Sequence, residues 1–109
     1  ALVAAAAVRR TTALSPQNLR PRTVRLDDAW SVTVYEEKNI AANVEAWMAT
    51  DEDCVDPFGG VAWPGSVMAA RKLRDHGVAN KIVCCLGCGT GVEALAAASL
   101  NASRVIALD

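Results

Sequence analysis

The last twenty-nine residues, "KIVCCLGCGTGVEALAAASLNASRVIALD", constrain the fold more than any other part of the chain. "KIVCCL" is an apolar run without alternation, the pattern of a strand buried on both faces of a parallel sheet. Glycines follow at 87, 89 and 91, and "VEALAAASL" after them is strongly helix-forming. "NAS" turns the chain, and "RVIALD" is a second apolar strand that ends on an acid. Strand, glycine turn, helix, short loop and strand make one βαβ unit. The expected class is therefore α/β, with at least one parallel strand pair.

Upstream, "SVTVYE" sets Val32 and Val34 against Thr33 and Tyr35, the alternation of a two-faced strand. From about Glu36 the period lengthens. Ile40, Val44, Trp47 and Met48 fall on one helical stripe running to about Thr50, and core packing is the expected role of Trp47 and Met48. "TDEDCVDPFGGVAWPG" reads as a loop, because acids, prolines and paired glycines break any period. Ser66 is expected to cap a helix through "VMAARKLRDHG", with Val67, Ala70 and Leu73 inward and Arg71, Lys72 and Arg74 facing water. Gly77 supplies its left-handed stop. His76, beside that stop, suits the negative end of the helix dipole and is given no catalytic role.

At 109 residues the chain is at most one small domain. Its charge is divided. Residues 1–26 carry Arg9, Arg10, Arg20, Arg22 and Arg25 and no acid, whereas residues 27–109 hold six basic residues against twelve acids. An acidic body argues against nucleic acid as a partner, since phosphate neutralisation needs a basic surface. The Ala- and Arg-rich opening with no acids resembles an organelle transit segment, which points to a plastid or mitochondrion; a disordered basic arm of a cytoplasmic protein is the alternative. Residues 1–26 are expected to lie outside the folded domain, which takes up residues 27–109. The apolar run at residues 1–8 is too short to span a bilayer, so no membrane partner is expected. The sequon Asn101-Ala102-Ser103 reads as incidental. A chain that stops at a strand tip is expected to be the first part of a longer domain, with an open sheet edge and uncovered apolar surface.

The four cysteines invite a metal or redox reading. Cys85 and Cys88 have knuckle spacing, but a closed zinc site needs four ligands. Only Cys54, Cys84 and His76 remain, and Cys84 points to the strand face opposite Cys85. No metal is expected. A reactive Cys-x-x-Cys wants its first thiol at a helix N-terminus, whereas Cys85 lies in the strand and Cys88 in the turn. Cys84 and Cys85 are expected to be buried as small hydrophobes.

The glycines explain more. Gly87, Gly89 and Gly91 permit positive φ and remove the Cβ atoms that would keep a ligand from the backbone. The helix start presents free N–H groups. Eighteen residues beyond Gly91, Asp109 sits at the tip of the second strand, where an acid can accept hydrogen bonds from ribose hydroxyls. No Gly-Lys-Ser/Thr closes the turn, so it is not a phosphate-gripping P-loop. The G-x-G-x-x-G dinucleotide pattern is also broken, because Val92 stands at its sixth position.

The spacing present, G-x-G-x-G, resembles motif I of the seven-strand S-adenosylmethionine-dependent methyltransferases. "VCCLGCGTG…VIALD" looks like that family's apolar strand, glycine turn and acidic second-strand end. "DPFGGVAWPGSVMAARKL" is similar to the Trp-Pro segment of the protein-lysine methyltransferase-like branch, the family 16 group. The resemblance covers about residues 56–109. It implies a Rossmann-like class I methyltransferase fold, truncated after the second core strand, and S-adenosyl-L-methionine as cofactor. Carried over, Gly87, Cys88, Gly89 and Gly91 would hold the amino-acid end of that cofactor, Asp109 its ribose, and Trp63 would border the pocket. A protein side chain, lysine, is the implied acceptor, transferred to by the complete protein and not by this piece alone. The family's acceptor-orienting residues lie in later strands, so no catalytic residue is assigned. One position departs from the pattern: the acid usual two residues before the first glycine is Cys85 here, which makes an inactive, interaction-only relative one alternative. An NAD(P)-binding oxidoreductase fold is the other.

Overall fold

The structure, a computed structural model, describes residues 16–49 and 57–109. After a short 3-10 turn (Pro16–Asn18), β1 (Leu19–Asp27) and β2 (Trp30–Glu37) form an antiparallel hairpin. Helix α1 (Ile40–Ala49) follows, then a second 3-10 turn (Pro57–Gly60) and α2 (Pro64–His76). Strand β3 (Ile82–Leu86), α3 (Val92–Ser99) and β4 (Arg104–Leu108) complete the order. Strands β3 and β4 pair in parallel, from Ile82 opposite Arg104 to Leu86 opposite Leu108. The βαβ unit read from the glycine turn is present, and the molecule is mixed α/β with two two-stranded sheets.

Alternation builds the hairpin's inner face. Val24 and Leu26 on β1 and Val32 and Val34 on β2 are all buried, while Thr33 and Tyr35 face out. Burying a side chain such as Leu26 in full contributes about 1.5–3 kcal/mol. These residues form one cluster with Ala70 of α2 and Val92 and Ala96 of α3. A second cluster joins Ala97 of α3 to Val78, Ala102 and Val105. Neighbouring alanines on α3 thus serve two cores, one toward the hairpin and one toward the parallel pair. Their small side chains let both come close to a single helix.

Asn80 and Asn101 adopt left-handed φ of 61° and 64°, a region Asn tolerates better than most residues. Between them runs an Asn80 N–H···O=C Asn101 bond of 2.9 Å, and Ser103 N–H donates to the Lys81 carbonyl at 2.9 Å. These bonds set the starting register of both parallel strands.

Several sequence-based expectations are corrected. Residues 19–26, assigned to an unstructured basic segment, form most of β1, because their inward Val24 and Leu26 match the alternation of β2. Residues 1–15 lie outside the described part, and so does Cys54. Helix α1 starts at Ile40 and not near Glu36, since Glu36 and Glu37 belong to β2. Met48 is 75% exposed and is no core residue; Trp47 is half-buried, in an edge-on contact with Phe58. Helix α2 starts at Pro64, two residues before the expected Ser66 cap. Trp63 is its N-cap residue without a side-chain capping bond, and Pro64 takes the first helical position, where its missing N–H costs nothing. Its stop at Gly77 (φ 84°) is as expected. Exposed Arg71 and Arg74 are not merely solvated: Arg71 Nε donates to the Leu26 carbonyl at 2.7 Å, and Arg74 pairs with Asp27 and lies over the Trp30 ring. Strand β3 is not buried on both faces. Val83 and Cys85 turn toward α3, while Ile82, Cys84 and Leu86 are exposed on the other face.

Candidate functional site

The glycine turn occupies the C-terminal ends of both parallel strands. Gly87, Gly89 and Gly91 have φ of 65°, 50° and 89°, all in the left-handed region that an L side chain resists. The turn is closed by backbone bonds from Cys88 N–H to the Leu108 carbonyl (3.0 Å) and from Gly91 N–H to the Cys88 carbonyl (2.8 Å). Asp109 continues from β4 and turns its carboxylate inward. Its Oδ1 accepts the Gly89 N–H at 3.1 Å.

Facing this turn is the 3-10 segment that leads into α2. A Cβ on Gly89 would stand 3.4 Å from the Gly59 carbonyl oxygen, so the two backbones approach closely there. Trp63 is half exposed. Its Nε1–H donates to the Phe58 carbonyl at 2.9 Å, and its ring lies 6.0 Å from that of Phe58. Between these walls lies a cavity of about 270 Å³ lined by Trp63, Phe58, Gly87, Gly89, Thr90 and Asp109, among others. That volume is just below the roughly 300–1,000 Å³ of small-molecule sites, room for part of a nucleoside-type cofactor.

Of the six residues singled out from the sequence, Trp63, Gly87, Cys88, Gly89 and Asp109 line this one cavity. Gly91 does not; it is the N-cap residue of α3 and serves the turn from behind. The sequence reading missed Phe58, Gly59, Val61, Ser66 and Thr90, which complete the lining. The paired glycines at 59 and 60 were the available signal, since they mark a place where backbone comes close to something.

It also missed Glu36. This residue shares the inward face of β2 with Val32 and Val34, and its side chain is only 2% exposed. Oε2 accepts Arg22 Nη1–H at 3.0 Å and the Ala62 N–H at 2.8 Å. An acid in phase with two buried valines was the legible clue. A buried carboxylate needs such partners, because an unpaired charge out of water is costly.

The thiols divide by position. Cys84 is exposed and Cys85 half-buried, not buried as expected, whereas Cys88 is buried. Burial, and next the Glu93 carboxylate, push the Cys85 thiol up from its ordinary value. A raised thiol pKa runs against a reactive redox pair. Among the described residues no group of three or more His, Cys, Asp and Glu is placed to hold a metal ion. Among them, too, no helix is long and apolar enough to cross a membrane.

No protein-family model matches the chain. The chain is similar to a ribosomal protein L11 methyltransferase of Heliobacterium modesticaldum, 34% identical over 88 residues. That match takes in 81% of this chain and 25% of the relative, so the chain spans about a quarter of the length of the protein it matches. The similarity supports the broad class of S-adenosylmethionine-dependent methyltransferases and does not support the narrower family 16 branch.

Proposed function

We propose that residues 57–109 form the S-adenosylmethionine-binding part of a Rossmann-like methyltransferase whose acceptor is a protein side chain, a lysine amine. One observation carries the reading: residues separate in sequence, Trp63, the Gly87–Gly89 turn and Asp109, surround a single cavity at the carboxyl ends of parallel strands. Ligands of α/β sheets collect at that end. The similar bacterial protein is named for methylation of a ribosomal protein, which favours a protein acceptor here as well.

The residues present suit the cofactor. Gly87 has nothing within 4 Å of a Cβ position, so its backbone is open to a ligand. In this reading the turn from Gly87 to Gly89 holds the amino-acid end, Asp109 accepts from the ribose, and Trp63 covers one side. The cofactor supplies an activated methyl group. The protein supplies grip and alignment, which for a transfer between two held partners is a large part of the acceleration. Cys85 stands outside this cavity, so its replacement of an acid leaves the binding wall intact.

Equilibrium titration of the complete protein with S-adenosylmethionine, S-adenosylhomocysteine and NAD tests the reading. Saturable binding of the first two, lost in a Gly89→Val variant, is expected. Binding of NAD alone would replace this reading with the oxidoreductase one, and no binding of any of the three would refute a nucleoside site.

A further inference from the structure

We infer that Glu36 is a positioning residue for this cavity: from the hairpin, its buried carboxylate holds the segment that forms the wall opposite the glycine turn. The inference rests on the cofactor reading above only for what the cavity binds.

The connections run in one direction. Arg22 on β1 donates to Glu36 Oε2, and the same oxygen accepts the Ala62 N–H. Ala62 directly precedes Trp63, which borders the cavity and begins α2. The neighbouring acid braces the same segment from beside it. A Cβ on Gly60 would stand 2.9 Å from Glu37 Cδ, so the segment is seated directly on that side chain. Glu37 is itself held by Asn43 Nδ2 at 2.6 Å. On its far side the segment reaches Gly89 through Gly59. Two acids at the end of β2 therefore fix a short piece of chain whose other face sets the distance to the glycine turn.

The chemistry explains why a carboxylate stands there. The segment is a 3-10 turn, Pro57–Gly60, and a short link that reaches α2 through Trp63 in an extended conformation. A buried acceptor anchored by an arginine gives the Ala62 amide one fixed partner. Charge-assisted bonds of this kind are shorter and stronger than neutral ones. An apolar residue would fill the space and leave that amide unpaired.

The test compares Glu36→Leu, Glu36→Gln and Gly60→Ala in the complete protein. Glutamine keeps a carbonyl acceptor for Ala62, and Gly60→Ala crowds the Glu37 side chain, which a Cβ would meet at 2.9 Å, without touching Glu36. The first readout needs no ligand: the Trp63 indole ¹⁵N–¹H resonance, assigned through Trp63→Phe, beside far-ultraviolet circular dichroism. The second is affinity for S-adenosylhomocysteine. Glu36→Leu and Gly60→Ala are expected to move the indole resonance and weaken binding about tenfold with the dichroism unchanged, while Glu36→Gln stays within about threefold of the parent. If Glu36→Leu fails to fold, Arg22→Met, which removes the other partner of Glu36 Oε2, takes its place in the comparison. An unmoved indole resonance in the folded variants overturns the inference, as does Glu36→Gln losing as much affinity as Glu36→Leu. Should the parent not bind S-adenosylhomocysteine, the cofactor reading fails by itself, and the indole comparison still decides the role of Glu36.

Discussion

The Gly89 amide and the Asp109 carboxylate meet at 3.1 Å across twenty residues of chain. One comes from the turn after β3 and the other from the tip of β4, so parallel pairing is what brings them together. The acid fixes the middle glycine of the turn without any ligand. Replacing Asp109 by Ala is therefore expected to weaken S-adenosylhomocysteine binding about 10- to 100-fold, the value of a hydrogen bond to a charged group. Titration calorimetry of parent and variant checks it, and an unchanged affinity would remove Asp109 from the site.

Two glycines of the turn should respond differently to alanine. At Gly91 a Cβ meets nothing within 4 Å, so the cost is left-handed strain alone, about 1–2 kcal/mol. At Gly89 the same strain is joined by a Cβ 3.4 Å from the Gly59 oxygen. Gly89→Ala should lose both stability and ligand affinity, whereas Gly91→Ala should lose mainly stability. Urea unfolding and ligand titration on the same samples separate the two; equal loss of affinity would contradict the placement of Gly91 behind the cavity.

The core prediction contrasts Leu26 with Met48. Leu26 is fully buried against α2 and α3, and Leu26→Ala is expected to cost about 2–5 kcal/mol. Met48 is largely exposed, so Met48→Ala should stay within about 0.5 kcal/mol. Denaturant midpoints at constant slope give both numbers.

Asp27 gives the fold an acid-sensitive contact. The Arg74 hydrogen bond, with the Asp28 amide next, holds its carboxyl below the ordinary value of 3.8. A depressed carboxyl pKa contributes stability at pH above that ordinary value, and the contribution disappears as pH falls through the lower folded-state value. Arg74→Met should therefore destabilise the protein at pH 6 and matter progressively less as the pH falls below 3.8. Melting curves across that range test the sign; a larger effect at the acid end would reverse it.

Alkylation should rank the thiols by surroundings. Cys84 is exposed and should react with iodoacetamide first, whereas Cys85, pushed up by burial and by Glu93, should lag until the pH is higher. Glu93→Gln should narrow the gap. Peptide mass mapping over a pH series reads both effects, and Cys85 reacting first would overturn the account.

The sequence exposed what depends on local pattern. Glycine spacing, the helix stop at Gly77 and the alternation of Val32 and Val34 all follow from φ preference or a two-residue period, and each appears where expected. What depends on partners distant in the chain was hidden. Continuous apolarity in "KIVCCL" suggested burial on both sides, but periodicity cannot say which face a helix covers, and Ile82 and Leu86 are exposed. Residues 19–26 read as irregular because four of the eight are Arg or Pro, yet pairing with β2 makes them a strand. For the candidate site, the turn and Asp109 were visible from motif spacing, and Trp63 through the family resemblance alone. The opposite wall at Phe58 and Gly59 was not, because its position comes from a buried acid twenty-odd residues earlier.

The meeting of Gly59 with Gly89 also limits how the cavity can change by substitution. Where they meet, the cavity is bounded by two backbones that already lack side chains. A mutation at either residue can add bulk there, and none can take any away. Widening must come from moving whole segments, while fine adjustment falls to the side chains around the rim, at Phe58, Trp63, Ser66 and Thr90. Selectivity for the ligand's outline is thus adjustable at those side chains and fixed where Gly59 meets Gly89.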